Sequence, residues 1–275
     1  MAYPLEVGGV DDYPVKVGSM LLTMVEPHEG YERAYNRWYE RDHFYAGCMI
    51  GPWLFAGSRW VATRPLKDLR WPQPENAIAR PYDAGSYVAI YWVEQGHHKD
   101  HFEGWATPQV RDLYANGRGF AERTHVHTSM FNHLGSAYRD KDPVPVDLAL
   151  DHGYGGLITL WWDAKSGTAD ELRGELEAKF LPDLLAGSGI EIASSWTPSS
   201  PDEGPRDVPM DLGSSAGGRG RLVQLLFVDG DVPAALDKVR TYAEAVESAG
   251  LADLLLAAPW LRTVIGTDTY VDELR

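Results

Sequence analysis

The residues best suited to chemistry lie close together in a short aromatic segment near position 40. Histidine titrates near neutral pH, so His43 can remove a proton from a substrate in one step and return it in another without a cofactor. If the segment is helical, Tyr39 lies one turn before His43 on the same face, and Trp38 and Asp42 share a neighbouring face. The sequence therefore predicts His43 as a catalytic acid or base that Tyr39 and Asp42 orient. The alternative is that His43 only caps the C-terminus of a helix.

Two further histidines follow a strand-like pattern between Arg123 and Ser129. His125 and His127 alternate with other residues, which predicts that their side chains share one face of a sheet with Arg123 and Ser129. If that face is interior, both are candidate catalytic residues that stabilise an enolate or phenolate beside His43. If it is exposed, they have no such role. A metal held by these three histidines is another alternative, but no spacing requires one and the HExxH pattern of zinc helices is absent, so no metal is predicted.

Aromatic residues are the third indication of a site. The chain contains 10 Trp and 14 Tyr, and rings with polar tips form pockets for flat ligands. Ordinary core packing is the alternative explanation for most of them. The predicted substrate-binding residues are Trp38, Trp53, Trp60, Tyr87, Tyr91 and Arg123. The histidine-rich stretch His97–His101 is predicted to be exposed at the start of a helix.

Composition excludes several classes of protein. The 275 residues include 25 Lys and Arg against 40 Asp and Glu, and the net charge of -15 argues against a nucleic-acid partner. No apolar stretch is long enough to span a membrane and the N-terminus lacks a signal-peptide pattern, which favours a cytoplasmic protein without a membrane partner. Cys48 is the only cysteine, so no intramolecular disulfide is expected. The glycine-rich stretch 213–221 lacks the P-loop lysine, and a G-x-S-x-G nucleophile elbow is absent.

The elements that must position these residues repeat along the chain. Apolar patterns, turn signals and helix caps predict the order βαββαβ in residues 19–139 and again in 156–275, with an N-terminal extension at 1–18 and a linker at 140–155. The predicted strands are Ser19–Val25, Phe55–Thr63, Ser86–Glu94, Arg123–Phe131, Gly156–Trp162, Glu191–Thr197, Arg221–Val228 and Trp260–Tyr270. The predicted helices are Tyr31–Ala46, Thr107–Phe120, Thr168–Leu185 and Val232–Ser248. The predicted fold is α+β: two ferredoxin-like repeats whose antiparallel sheets pack face to face as an intramolecular α+β barrel.

The end of the first helix in each unit carries a motif that resembles a known family. Tyr35–Gly51 (YNRWYERDHFYAGCMIG), followed by Arg59-Trp60-Val61, resembles the EthD-like group of the dimeric α+β barrel superfamily, whose first helix ends in a W-Y-x-x-x-H type pattern. Lys179–Ala193 (KFLPDLLAGSGIEIA) is similar to the commoner form of that motif, H-x-P-x-L-x-x-x-x-G. The resemblance implies the barrel fold and a range of activities, among them cofactor-free monooxygenases, isomerases, cyclases, decarboxylases, dehydratases and haem-binding branches.

Aligned on this motif, the two units differ at an informative position, because Asp183 stands opposite His43 and only the first unit keeps the histidine. One working site in the first unit, with a degenerate and structural second unit, is the simplest expectation. The leading hypothesis is a cofactor-independent lyase or isomerase that uses His43 on a hydrophobic aromatic or polycyclic substrate. The alternatives are an oxygen- or haem-dependent monooxygenase, with His125 or His127 as an axial ligand, and a protein that binds a hydrophobic metabolite without converting it. A homodimer is compatible with each of these.

Overall fold

The computed structural model describes residues 14–200 and 210–275. Residues 1–13 of the predicted N-terminal extension and residues 201–209 lie outside the described residues. The strands are β1 (Val17–Pro27), β2 (Leu54–Val61), β3 (Tyr87–Glu94), β4 (Arg123–Tyr138), β5 (Gly156–Ala164), β6 (Ile190–Pro198), β7 (Arg221–Val228) and β8 (Ala252–Arg262). The α-helices are α1 (Glu32–Trp38), α2 (Arg64–Asp68), α3 (His98–His101), α4 (Thr107–Ala115), α5 (Ala169–Lys179), α6 (Leu181–Leu185) and α7 (Val232–Ser248).

All of these strands join in one closed antiparallel barrel, in the order β1-β3-β2-β8-β5-β7-β6-β4. Each half of the chain contributes four neighbouring strands in the same relative order, β4-β1-β3-β2 and β8-β5-β7-β6, which is the ferredoxin-like arrangement. The two half-sheets face each other across the core and also join at both edges, where β2 pairs with β8 and β4 pairs with β6. Closure covers the strand edges that an isolated four-stranded sheet would expose. The predicted α+β fold class is confirmed.

Tryptophan fills the interior of the barrel. Trp92 and Trp196 stack there with ring centroids 4.7 Å apart, and Trp60 packs against Phe227. A buried aromatic side chain removes about 150–250 Å² from water, so at about 25 cal/mol per Å² these rings supply a large part of the apolar stabilisation. Trp60 is 0% exposed. It therefore belongs to the core, and the prediction that it binds substrate is not supported by its position.

Helices cover the outer face of each half-sheet. In the second half, α5, α6 and α7 pack apolar side chains against the sheet. Helix α5 begins with a capping box of Thr168 and Glu171, at the predicted start of the helix. In the first half, the cover consists of α1, two π-helical turns (Tyr39–His43 and Tyr45–Met49) and the run from α3 through a third π-helical turn (Phe102–Ala106) to α4. Among the described residues, no helix is both long and apolar enough to cross a membrane.

The last strand lies earlier in the chain than predicted, because β8 starts at Ala252 and ends at Arg262. Its alanine- and leucine-rich sequence and Pro259 argue against a strand. In the structure, β2 pairs with β8 only at Leu261 and Arg262. No β2 residue therefore lies opposite Pro259 to require the backbone N–H that proline lacks. The barrel therefore tolerates a proline that sequence patterns count as a strand breaker.

The segment predicted as a linker is packed into the barrel rather than exposed. Val146, Leu150 and Tyr154 are buried in the same apolar cluster as the barrel tryptophans. The Asp147 carboxylate accepts a hydrogen bond of 2.6 Å from the backbone N–H of Val17. The segment that connects the two halves is thus also part of the apolar core.

Candidate active site

A β-bulge in β4 separates the two histidines that the sequence places on one face. Met24 of β1 pairs with His127, but the next residue, Val25, pairs with His125, so Val126 is an extra residue in β4. Such an insertion shifts the alternation of side chains by one. His125 consequently lies on the outer face of the sheet, whereas His127 points into the barrel. The prediction of a shared face is therefore wrong.

His127 is a core residue of the barrel. Its side chain is 0% exposed, and its ring centroid lies 6.0 Å from that of Phe131 and 5.8 Å from that of Trp161. Nδ1 lies 2.9 Å from the Ser214 hydroxyl, and Nε2 has no hydrogen-bond partner in the described part of the chain. Burial lowers the pKa of His127 to about 3, so the ring is neutral. His127 lies on the opposite face of the sheet from His43 and His125. The predicted catalytic group of these histidines, and a metal site shared by them, are not formed.

A cavity of 120 Å³ lies between the outer face of the first half-sheet and the helices that cover it. Its lining is mostly apolar, with three histidines and one arginine among the polar members. The lining residues are Leu21, Thr23, Tyr39, His43, Gly47, Cys48, Leu54, His101, Phe102, Ala106, Thr107, Val110, Arg123, His125, Thr128, Met130, Met210 and Leu212. An apolar cavity of about 150 Å³ holds one benzene molecule. This cavity therefore accommodates about one six-membered ring, and a polycyclic substrate would extend beyond it.

His43 faces this cavity from the first π-helical turn. Its ring stacks on Trp38 with centroids 4.6 Å apart and an interplanar angle of 17°, and the Tyr39 ring meets it edge-on at 5.4 Å. Within residues 14–200 and 210–275, neither ring nitrogen has a hydrogen-bond partner. Burial, assisted by the positive charge of Arg123, lowers the pKa of His43 to about 3. The ring is neutral at physiological pH and presents an unused lone pair, which a capping imidazolium would not.

The two residues predicted to orient His43 have other partners. The Tyr39 hydroxyl lies 2.7 Å from the Tyr91 hydroxyl, which also bonds the Cys48 thiol. The Asp42 carboxylate forms an ion pair with Arg118. Tyr39 therefore touches His43 only through its ring, and Asp42 does not hold the imidazole at all. Burial raises the pKa of the Cys48 thiol to about 12, so this buried cysteine is not a nucleophile at neutral pH.

His125 holds Arg123 in the cavity wall. Arg123 Nε donates to His125 Nε2 at 3.3 Å, which leaves His125 Nδ1 as the protonated nitrogen that donates to the Thr128 hydroxyl at 2.8 Å. Burial, with Arg123 beside it, lowers the pKa of His125 to about 3. Because both ring nitrogens are occupied, His125 acts on Arg123 rather than as a second base.

His101 is a cavity residue that the sequence analysis missed. The second helical run begins at His98 rather than Thr107, so His101 is 2% exposed instead of lying at an exposed helix start. Its Nδ1 donates to the Pro52 carbonyl at 2.7 Å, which leaves Nε2 as an acceptor. Burial lowers the pKa of His101. Thr107, the first residue of the predicted helix Thr107–Phe120, donates its hydroxyl to the Phe102 carbonyl inside the run.

All five predicted substrate-binding aromatics, including the core residue Trp60, lie outside the cavity lining. Trp53 is 45% exposed and stacks on His97 with centroids 3.6 Å apart. Tyr87 is buried under the guanidinium of Arg59, 4.2 Å from the ring centroid, and Tyr91 lies behind Tyr39. Arg123 is the one predicted substrate-binding residue that lines the cavity. Trp38 lies behind it, stacked on His43 and 4.6 Å below the Arg123 guanidinium.

A segment of the second half completes the cavity of the first. Leu212 accepts a hydrogen bond from the Thr128 N–H at 2.8 Å, and the Ser214 N–H donates to the Val126 carbonyl at 2.9 Å. Residues 210–214 therefore run along the first part of β4, on the side where β6 pairs only from Phe131 onward. This path requires glycine at position 213, where φ is +79° and a Cβ would lie 2.3 Å from the Val126 oxygen. Met210 and Leu212 thereby reach the cavity, a contact across more than 80 positions of sequence that no local pattern signals.

The same outer face of the second half is filled by side chains. The apolar cluster beneath its helices includes Leu172, Leu176, Leu181, Leu184 and Leu185, each at most 4% exposed. Asp183, which stands opposite His43 in the motif, is exposed to solvent. These features agree with a single site in the first half.

The fit of a metal or haem can be judged from the residues present. In the described part of the chain, no group of three or more His, Cys, Asp or Glu side chains could hold a metal ion. Cofactor pockets usually measure about 300–1,000 Å³, which exceeds the cavity at His43. A wider cleft of 690 Å³ lies nearby, but its one lining histidine is His125, whose ring nitrogens are already bonded. The residues at neither place fit a haem.

Comparison with known proteins defines the fold. No family model and no curated protein matches the sequence. A solved structure described as an anthrone oxidase-like protein superposes with a TM-score of 0.53 and 8% identity, covering 91% of this chain and 95% of its own. A solved structure described as a candidate chlorite dismutase superposes with a TM-score of 0.52 and 11% identity, covering 94% of this chain and 100% of its own. A candidate monooxygenase from Fusobacterium nucleatum superposes with a TM-score of 0.51 and 8% identity, covering 90% of this chain and 93% of its own. The chain therefore has the dimeric α+β barrel fold, here closed within one polypeptide.

Proposed function

We propose that the protein is an enzyme that moves a proton on a small ring-bearing substrate, with His43 as the base and without a bound organic cofactor. The observation that carries this proposal is an imidazole without a hydrogen-bond partner among the described residues, facing an apolar cavity the size of one ring. The resemblance of residues 35–51 to the EthD-like group supports the same role. Lyase and isomerase reactions begin in this way, by removal of a proton beside a carbonyl or ring hydroxyl.

The protonation state of His43 suits a base that acts only on bound substrate. A pKa of about 3 keeps the ring neutral, but the same surroundings make it a weak base in the empty site. When a proton moves from substrate to ring, an imidazolium and a substrate anion form side by side, and their attraction in the apolar cavity favours the transfer. The Trp38 and Tyr39 rings restrain the imidazole, so little reorientation is needed during the reaction.

Exchange of substrate protons with deuterated water tests the proposal without knowledge of the product. Monocyclic ketones and phenols with acidic C–H groups are incubated with the protein in D2O at about pH 7.5, and the loss of individual proton signals is followed by NMR. We expect enzyme-dependent exchange at a single carbon of at least one compound. If compounds that bind in the cavity show no exchange above the rate without protein, the proposal is wrong.

A substitution at Gly47 is expected to disturb the base without removing it. A Cβ at this position would lie 2.8 Å from both Nδ1 and Cε1 of His43, and Trp38 blocks the ring from moving away. We expect Gly47→Ala to slow exchange by up to about 100-fold and to lower the free energy of unfolding by about 1–3 kcal/mol. Gly174→Ala is the matched control, because no atom lies within 4 Å of its added Cβ. Unchanged exchange in Gly47→Ala would show that the position of the His43 ring is unimportant.

An oxidase or monooxygenase is the second candidate, favoured by the anthrone oxidase-like protein and the monooxygenase candidate among the structures of this fold. The first step would be the same, because a ring anion formed by His43 can pass electrons to O2 in an apolar cavity. Oxygen consumption separates the two candidates. Substrate-dependent uptake of O2 that stops in anaerobic buffer indicates an oxygenase, whereas turnover that continues without O2 indicates a lyase or isomerase.

A further inference from the structure

Arg123 places a positive charge in the wall of the cavity. Its guanidinium donates through Nε to His125, through Nη1 to the Phe120 carbonyl at 3.1 Å, and through Nη2 to the Tyr114 hydroxyl. A guanidinium carries five N–H groups, so two remain for a ligand. The Tyr114 hydroxyl in turn donates to Met210, which agrees with its accepting role toward Arg123.

No carboxylate balances this charge in the described part of the chain. The acceptors around Arg123 are all neutral, and no Asp or Glu is among the residues that line the cavity. Asp42, the acidic residue beside His43, is held by Arg118. The rings of Trp38 and Tyr114 contribute cation–π attraction at 4.6 and 5.8 Å, but such contacts offset only part of the cost of a partly desolvated charge.

The buried arginines of the protein are neutralised differently from the half-buried Arg123. Arg221 forms an ion pair of 2.7 Å with Asp163, and Arg59 lies 3.4 Å from Glu40. Arg70 lacks an ion pair but is 1% exposed, and both of its terminal nitrogens bond backbone carbonyls. Arg123 differs from these three arginines. Its hydrogen-bond partners are neutral, two of its N–H groups remain for a ligand, and it lines a cavity large enough to hold one.

We infer that the substrate is a single ring bearing an oxyanion, a carboxylate or an ionised phenol, which binds Arg123 while the ring enters the apolar cavity beside His43. Arginine matches planar oxyanions through paired N–H donors. The inference rests on the proposed function, because it assigns the substrate of the same cavity. It also limits that function to substrates that carry a negative charge before the reaction begins.

Binding of matched ring compounds tests the inference independently of turnover. Benzoate and benzamide have nearly the same shape and differ in charge, and 4-nitrophenolate compared with nitrobenzene tests the phenol. By titration calorimetry at about pH 7.5, we expect at least one oxyanion to bind roughly tenfold or more tightly than its neutral counterpart. A benzoate preference alone identifies a carboxylate, and a nitrophenolate preference alone identifies a phenol. Equal affinity within both pairs would overturn the inference.

Variants assign the preference to Arg123. Arg123→Gln should remove it while the neutral compounds bind as before, which also shows that the cavity is intact. Arg123→Lys should retain part of it. Arg240→Gln is the matched control, because this exposed arginine lies above Trp71 at 4.2 Å in a comparable cation–π contact. A preference that survives in Arg123→Gln would contradict the inference. His43→Gln should keep the preference, so failure of the proposed catalysis and failure of this inference give different results.

Discussion

Replacing His43 by glutamine should lower proton exchange or turnover by about 10²- to 10⁴-fold, the usual contribution of a general base. Glutamine retains a polar side chain of similar reach but cannot accept and return a proton near neutral pH. Because Arg123 and the apolar walls are unchanged, the affinity for a ring-bearing ligand should change by less than about threefold. The measurement is the exchange rate of wild type and variant at saturating substrate, together with the dissociation constant of each.

His152→Gln is the matched control for this prediction, since it makes the same chemical change at an exposed histidine in the segment that connects the two halves. It should leave exchange and binding unchanged. Two results would contradict the account: full activity in His43→Gln, or a loss of activity that only reflects lost affinity. The second outcome would indicate that His43 shapes the cavity without taking a proton.

The protein should lose stability on mild acidification because several histidines, His127 fully buried and others half-buried, are neutral in the fold. The pKa is lowered to about 3 for His43, His125 and His127 and to about 4 for His133. In the unfolded chain these side chains titrate near 6.5. Below about pH 6.5 the unfolded state therefore binds more protons, and the free energy of unfolding falls as the pH falls toward 4. Each histidine removes up to about 1.4 kcal/mol per pH unit.

The four histidines together could remove as much as about 5 kcal/mol per pH unit, against a total stability of about 5–15 kcal/mol for a typical protein. Urea denaturation at several values between about pH 5 and 8 measures the slope. His127→Asn, a change inside the barrel, should reduce the number of protons taken up on unfolding by about one, and with it the slope of the unfolding free energy against pH. This holds even if the variant is less stable at all pH values. His152→Gln should leave it unchanged. A wild-type stability that is constant from about pH 6.5 to 5 would show that these four histidines are not neutral in the fold.

The fold could be read from the sequence where local pattern and global structure agree. The β7 and α7 bounds match the prediction at both ends, and the capping box at Thr168 marks the start of α5 to within one residue. The βαββαβ order in each half then leads to the closed barrel, because each half-sheet has one face that its own helices cannot cover. The β8 bounds failed because alanine, leucine and proline carry weak strand signals that tertiary pairing overrides.

The candidate site could be read only in part. His43 was identifiable because its helix-end motif is local in sequence. The opposite orientations of His125 and His127 depend on one inserted residue at Val126, and a bulge leaves no mark in the alternation of residue types. Met210 reaches the cavity through contacts distant in the chain, which no periodicity describes. His101 was missed because Pro108 suggests a helix start, whereas a π-helical turn before it lets the helical run continue.

The protonation state of the His43 ring is the central claim of this account, and nitrogen-15 NMR of the histidine side chains measures it most directly. The His43 signals are assigned by their absence in His43→Gln. We predict a neutral imidazole from about pH 8 down to at least pH 5, with one ring nitrogen that shifts when benzoate or 4-nitrophenolate is added. A ring that titrates near pH 6.5, or that does not respond to any ligand of the cavity, would contradict the assignment of His43 as the neutral base.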